Sequence, residues 1–91
     1  MTSKASIAAA INSKVGSTKF NIWRIGITHD LVERKKYWKE TEKKNTDYWS
    51  DWEADSLSDA QDIESDFINK GMQGGTGGDL SFRSTTYIYV F

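Results

Sequence analysis

The stretch Phe20-Asn21-Ile22-Trp23-Arg24-Ile25-Gly26-Ile27-Thr28-His29-Asp30-Leu31-Val32-Glu33-Arg34 decides how this chain is read. Its first nine residues are rich in β-branched and aromatic types, as a strand requires. Trp23, Ile25 and Ile27 fall on one face and Phe20, Ile22 and Arg24 on the other. Both faces are largely apolar, the pattern of a central strand covered on both sides. Asp30 then supplies an N-cap carboxylate, and Glu33, three residues on, is placed to close a capping box. The helix that follows is expected to run to about Lys43. Its spacing puts Leu31, Arg34 and Trp38 on one side, so Arg34 leaves the helix from the face that packs.

Outward from this unit, Lys35, Lys36, Lys39, Lys43 and Lys44 make the rest of the helix basic. Such a run is a solvated face, a nucleic-acid stripe, or both. Tyr48 to Ala54 reads as a second, short strand. Ser56 is an N-cap for a helix running to Lys70 with Gly71 at C′, its apolar stripe formed by Leu57, Ala60, Ile63 and Phe67. Glu64 lies at the edge of that stripe, where a carboxylate needs a cation, an arginine or a proton. Residues 71–79 form a Gly-rich loop that does not join a strand to a helix and so is not a phosphate-binding P-loop. Ser84 to Phe91 is the last strand, with Tyr87, Tyr89 and Phe91 on one face and Ile88 and Val90 on the other. At the start, Ile7, Ile11 and Val15 recur at i, i+4, i+8, and residues 1–15 are expected to hold a helix.

The elements add up to a small α/β (α+β) sandwich in one domain, residues 1–91, with strands near 20–28, 48–54 and 84–91 and helices flanking the sheet. A chain of 91 residues buries a limited core, and its four Trp, four Tyr and four Phe supply the apolar bulk. With no Cys there are no disulfides, thiol nucleophiles or cysteine metal sites, and one His excludes a His-triad centre. No apolar run approaches the ~18 residues needed to span a membrane. The short run from Ala5 to Ile11 is not followed by a cleavage pattern, so the protein is expected to be cytoplasmic. The net charge of −1 conceals an asymmetry: residues 1–44 carry ten Lys/Arg and four Asp/Glu, residues 45–91 two and nine. A basic half can meet phosphates while an acidic half holds a metal, or the two halves attract each other.

Residues 24–34, Arg-Ile-Gly-Ile-Thr-His-Asp-Leu-Val-Glu-Arg, resemble the YIG half of a GIY-YIG nuclease domain, in which a strand ending in Tyr-Ile-Gly runs into a helix carrying an essential arginine. Residues 62–71, Asp-Ile-Glu-Ser-Asp-Phe-Ile-Asn-Lys-Gly, are similar to that family's later helix, where a glutamate beside apolar positions binds the catalytic metal. The two stretches occur in the family's order with a strand between them. The resemblance implies metal-dependent phosphodiester hydrolysis of nucleic acid. Glu64 would hold one Mg²⁺ or Mn²⁺, Arg34 would neutralise charge developing on the phosphate, and a tyrosine would orient or deprotonate the attacking water. The chain departs from the family at two places: Arg24 stands where the YIG tyrosine would be, and the interval expected to hold the Gly-Ile-Tyr strand falls among Ala8 to Lys14, which contains no Tyr. The C-terminal strand is therefore expected to take that strand's place, with Tyr87 or Tyr89 as its tyrosine.

The candidate catalytic residues are thus Arg34, Glu64, Tyr87, Tyr89 and His29, the last as a proton shuttle or phosphate contact. Arg24, Lys35, Lys36 and Lys39 are the candidate nucleic-acid contacts, with DNA preferred over RNA, and no membrane partner is expected. Structural alternatives stand beside these roles: an Arg34–Glu64 ion pair, sheet-face packing for the two tyrosines, an exposed loop position for His29, and core packing or base stacking for Trp49 and Trp52. A chain this short would rely on a partner protein or a homodimer for any sequence specificity. The alternative function is a domain of the same fold that has lost hydrolysis and serves in nucleic-acid binding or protein interaction.

Overall fold

The computed structural model describes residues 3–74 and 85–91, and in it the deciding stretch does form a strand followed by a helix. In chain order the elements are α1 (Lys4–Val15), β1 (Arg24–Thr28), α2 (Leu31–Lys36), β2 (Ser50–Ala54), α3 (Leu57–Asn69), β3 (Gln73–Gly74) and β4 (Thr86–Val90). The strands make one mixed sheet in the order β2-β4-β1-β3. β4 runs antiparallel to both β1 and β2, while β3 lies parallel to β1. The architecture is α+β, as the alternation of periods implies, and β1 is an interior strand.

Alternation along the strands sorts the side chains into two layers. Ile25 and Ile27 of β1 pair with Val90 and Ile88 of β4, and all four are buried. They meet Ile7, Ile11 and Val15 of α1 and Ala60, Ile63 and Phe67 of α3 in one hydrophobic cluster. Fully burying an aliphatic or phenyl side chain stabilises by about 1.5–3 kcal/mol, so this layer carries most of the folding energy. The sheet's other face carries Arg24, Gly26, Tyr87 and Tyr89, together with the turn that follows α2.

The helices begin as their caps dictate. Ser3, Asp30 and Ser56 accept hydrogen bonds from the amides of Ser6, Glu33 and Asp59. The expected capping box at Asp30 is only half formed, because the Asp30 amide donates to Thr28 Oγ1 at 3.0 Å rather than to Glu33. α3 is capped at Lys70 and followed by Gly71, whose φ of +117° suits glycine. The Met72 amide then bonds back to the Phe67 carbonyl at 3.0 Å, which turns Met72 into the core and sends Gln73 alongside Arg24.

Five expected elements are corrected. The first strand starts at Arg24 rather than Phe20: Phe20–Ile22 is a turn of 3₁₀ helix, and Ile22 is 64% exposed. The ladder with β4 closes at the reciprocal Arg24–Phe91 backbone pair, and before it the Trp23 carbonyl still accepts from the Gln73 amide of β3 at 2.9 Å, while Phe20–Ile22 has no place in the sheet. The second helix does not continue to Lys43, because after Lys36 it widens into a π-helical turn, Tyr37–Thr41, with the Glu42 amide bonding to the Tyr37 carbonyl. Within the Gly-rich stretch, Gln73–Gly74 is a strand, and residues 75–79 lie outside the described residues. The strand expected at 48–54 is confined to Ser50–Ala54, and that at 84–91 to Thr86–Val90, residue 84 also lying outside the described residues. Among the described residues the one ion pair is Lys4–Asp62 at 3.1 Å, exposed at both ends. No helix among them is long and apolar enough to cross a membrane.

Candidate active site

Tyr89 is the centre of the second layer. It pairs in register with Gly26, and its ring lies directly across that glycine. A Cβ at position 26 would stand 2.8 Å from Tyr89 Cε2 and closer still to Cζ and Oη. A strand glycine often marks such a close approach, and here it makes room for a tyrosine side chain. Trp38 Nε1 donates to Tyr89 Oη at 2.9 Å, and Trp49 stacks on the Tyr89 ring with centroids 4.6 Å apart and planes 5° off parallel. Phe91 completes the group against Trp49 and Trp38. The π-helical turn delivers Trp38 to this position, and the loop before β2 delivers Trp49.

Three charges act on the Tyr89 hydroxyl. Its acidity is weakened first by burial, the side chain being 4% exposed. The Trp38 hydrogen bond and the positive charges of Arg34 and Arg24 oppose that shift, whereas the negative charge of Glu64 adds to it. The net direction is upward, so Tyr89 is a neutral phenol at physiological pH, able to orient a ligand but not to serve as a resting base. Both tyrosines lie on the non-core face of β4, but they are not equivalent. Tyr87 is half-buried opposite Thr28 and Glu53, and no interaction among the described residues links it to Arg34 or Glu64.

The two residues singled out on the helices are each half-buried, and they do not form an ion pair with one another among the described residues. Arg34 places its guanidinium 5.4 Å from the centre of the Tyr37 ring. Glu64 makes no hydrogen bond or ion pair among the described residues, and burial raises its carboxyl above the usual range. Arg24, in the strand, sits 4.7 Å above the Trp38 ring and donates to Gln73 Oε1 at 2.8 Å. The cations on this face are thus held by rings and an amide, which leave their charge intact.

At the C-terminal end of β1, a cleft of about 390 Å³ is lined by Thr28, His29, Asp30, Glu33, Arg34 and Tyr37. His29 is half-buried in its wall rather than on a free loop. Of the basic stripe, Lys35, Lys36 and Lys39 are exposed, and Lys35 reaches over Trp49 at 5.8 Å. Trp52 packs against the core, while Trp49 belongs to the Tyr89 group. No group of three or more His, Asp or Glu side chains converges among the described residues.

Sequence reasoning did not single out Gly26, Trp38 or Gln73. Gly26 carried a signal, a lone glycine inside an aromatic and β-branched run. The spacing placed Trp38 on the packing side of its helix, but its bond to Tyr89 depends on the π turn, and Gln73 carried no signal because its role depends on a two-residue strand. The chain matches no protein-family model, no curated protein and no solved structure.

Proposed function

We propose that the protein hydrolyses phosphodiester bonds in nucleic acid, DNA before RNA, at a site built from Tyr89, Arg34 and Glu64 with the help of one Mg²⁺ or Mn²⁺. The observation that carries this reading is the Tyr89 hydroxyl laid across Gly26, under the electrostatic influence of Arg34, Arg24 and Glu64 together. When bound, the divalent ion would supply charge stabilisation at the leaving oxygen. Glu64, half-buried and without a protein partner among the described residues, is the group that would hold it. Arg34 binds a phosphate oxygen from the wall of the cleft and offsets the charge that builds there, a task suited to a planar, permanently charged fork. Tyr89, a neutral phenol, orients the attacking water rather than deprotonating it. His29, in the same cleft wall, is placed to contact the phosphate or to move a proton.

A second reading is favoured by a specific observation. Tyr89 is almost wholly covered and its oxygen already accepts a hydrogen bond from Trp38, while Arg24 stands at the other tyrosine position of the motif. In this reading the domain binds nucleic acid through the same cations without cutting it. Plasmid and branched DNA incubated with Mg²⁺ or Mn²⁺ separate the two. Metal-dependent cleavage should fall by roughly 10²–10³-fold in Arg34→Ala, the usual scale for removing one charge-stabilising donor, and should vanish in Glu64→Ala. In parallel, Mg²⁺ should raise the melting temperature of the wild type and not of Glu64→Ala. A folded wild type that cuts neither substrate yet binds both establishes the second reading.

A further inference from the structure

A second concavity, of about 220 Å³, lies at the opposite end of β1 from the cleft that holds Arg34. Its wall is formed by Arg24, Lys44, Asn45, Gln73, Ile22 and Phe91. Two cations and two apolar side chains therefore face one small space. Arg24 is fixed there from two sides: the Trp38 ring lies 4.7 Å beneath it, and Gln73 Oε1 accepts one of its N–H groups at 2.8 Å. Gln73 is itself anchored, its Nε2 donating to the Asn21 carbonyl at 3.0 Å. Neither Arg24 nor Lys44 forms an ion pair among the described residues. A guanidinium held in place without being neutralised is pre-organised for an anion, because the entropy of ordering it has been met in folding.

The apolar part of the wall says more about the ligand. Ile22 is 64% exposed, turned outward by the 3₁₀ turn, and Phe91 is half-buried beside it. A simple anion would gain nothing from these two side chains, whereas a nucleobase attached to a phosphate would cover both. A recess of this size suits one unpaired base and offers no slot for a base pair. Trp38 links the recess to the Tyr89 group, since the indole that carries Arg24 is the one that donates to Tyr89 Oη.

We propose that this recess is a nucleotide subsite that makes the protein selective for single-stranded nucleic acid: Arg24 and Lys44 take a backbone phosphate, and Ile22 and Phe91 cover its unpaired base. The proposal rests on the reading of the neighbouring cluster as a nucleic-acid site and names the substrate form that the site accepts. It does not depend on hydrolysis.

The test is equilibrium binding, in EDTA so that no cleavage intervenes, of a fluorescent 12-nucleotide single strand and of its blunt duplex across a salt series. The wild type should bind the single strand at least tenfold more tightly than the duplex. Lys44→Ala and Arg24→Gln should each weaken single-strand binding and lower the slope of log K against log[salt] by roughly 0.7, the value for one lost phosphate contact on a single strand. Ile22→Ala should weaken single-strand binding about fivefold, as loss of roughly 1 kcal/mol of apolar base contact gives, and leave the slope unchanged. Lys44 and Ile22 are exposed, so their variants test the subsite even where Arg24→Gln disturbs packing. Equal affinity for duplex and single strand, or wild-type affinity and slope in Lys44→Ala and Ile22→Ala, overturns the proposal. Cleavage lost in Glu64→Ala with single-strand selectivity intact would bear on the neighbouring cluster alone.

Discussion

Replacing Gly26 by alanine tests the geometry on which the candidate site depends. The added Cβ would stand 2.8 Å from Tyr89 Cε2 and nearer to Cζ and Oη, below the 3.0 Å that real Cβ contacts respect. The ring has two ways to respond. If it stays, β1 and β4 must part locally, an overpacking strain of about 1–3 kcal/mol. If it swings away, it loses the Trp38 hydrogen bond, about 1 kcal/mol, and the parallel stack on Trp49, about 0.5–1.5 kcal/mol. The first route costs about 1–3 and the second about 1.5–2.5 kcal/mol, so the expected loss is about 2 kcal/mol, against a stability of roughly 5–14 kcal/mol for 91 residues. The melting temperature should fall by about 10–20 °C. Strand propensity alone predicts the opposite, since Ala in a strand is favoured over Gly by roughly 0.5–1 kcal/mol. Urea unfolding followed by tryptophan fluorescence measures the effect, and a double-mutant cycle assigns it. In the Tyr89→Leu background, which lacks the clashing atoms, Gly26→Ala should be neutral or slightly stabilising, a coupling of about 2–3 kcal/mol. A cost below 1 kcal/mol in the wild type, or the same cost in both backgrounds, would refute the placement of the Tyr89 ring over Gly26.

Two further outcomes can be read by urea unfolding. Tyr89→Phe keeps the stack but leaves the Trp38 indole N–H without its acceptor, and should cost about 1–2 kcal/mol; the same loss in a Trp38→Phe background would show that the bond is not formed. For Glu64, burial raises the folded carboxyl above its unfolded value, so the folded state retains its proton in a window where the unfolded state has lost it. Stability then declines as pH rises through that window and is flat above it. Glu64→Gln should accordingly be more stable than the wild type at pH 7, with the difference shrinking toward pH 4. A difference that grows on acidification would mean that Glu64 is held charged by a cation.

The parts of this fold that follow from local pattern were legible in the sequence. Ser56 as a cap, the Ala60-Ile63-Phe67 stripe and the C′ role of Gly71 each depend on residues within one helix and its ends. The alternation of Ile88 and Val90 against Tyr87 and Tyr89 likewise fixed the two faces of β4. What could not be read depends on partners distant in sequence. Arg24 reads in the sequence as a candidate nucleic-acid contact, and its neighbours in the fold are a ring fourteen residues on and an amide forty-nine residues on. The π turn was hidden because the sequence from Leu31 to Lys43 is ordinary helix by propensity, and it is tertiary contact by Trp38 that accompanies the widened turn. The resemblance left Tyr87 and Tyr89 of the C-terminal strand as candidates, and it is the register that pairs Tyr89, not Tyr87, with Gly26.

That register also bears on the divided charge of the chain. Two halves of opposite sign could have been expected to neutralise each other across the fold, yet one exposed pair, Lys4–Asp62, is all that joins them among the described residues. The cations nearest the sheet take a different kind of partner: Arg24 lies on Trp38, Arg34 on Tyr37 and Lys35 on Trp49. A carboxylate partner would have cancelled each charge and left little to attract a phosphate. A ring stabilises a cation by about 0.5–1 kcal/mol at a partly exposed site while leaving its charge and most of its donors available. The aromatic residues of this small domain therefore act twice, filling the layer beneath the sheet and holding its cations ready. Glu64, whose negative charge adds to the upward shift of Tyr89, is likewise without an ion pair among the described residues. Under the proposed function, a ligand carrying an anion and a divalent cation together would satisfy both the ring-held cations and Glu64, which is why nucleic acid and metal are expected to bind more tightly together than either alone.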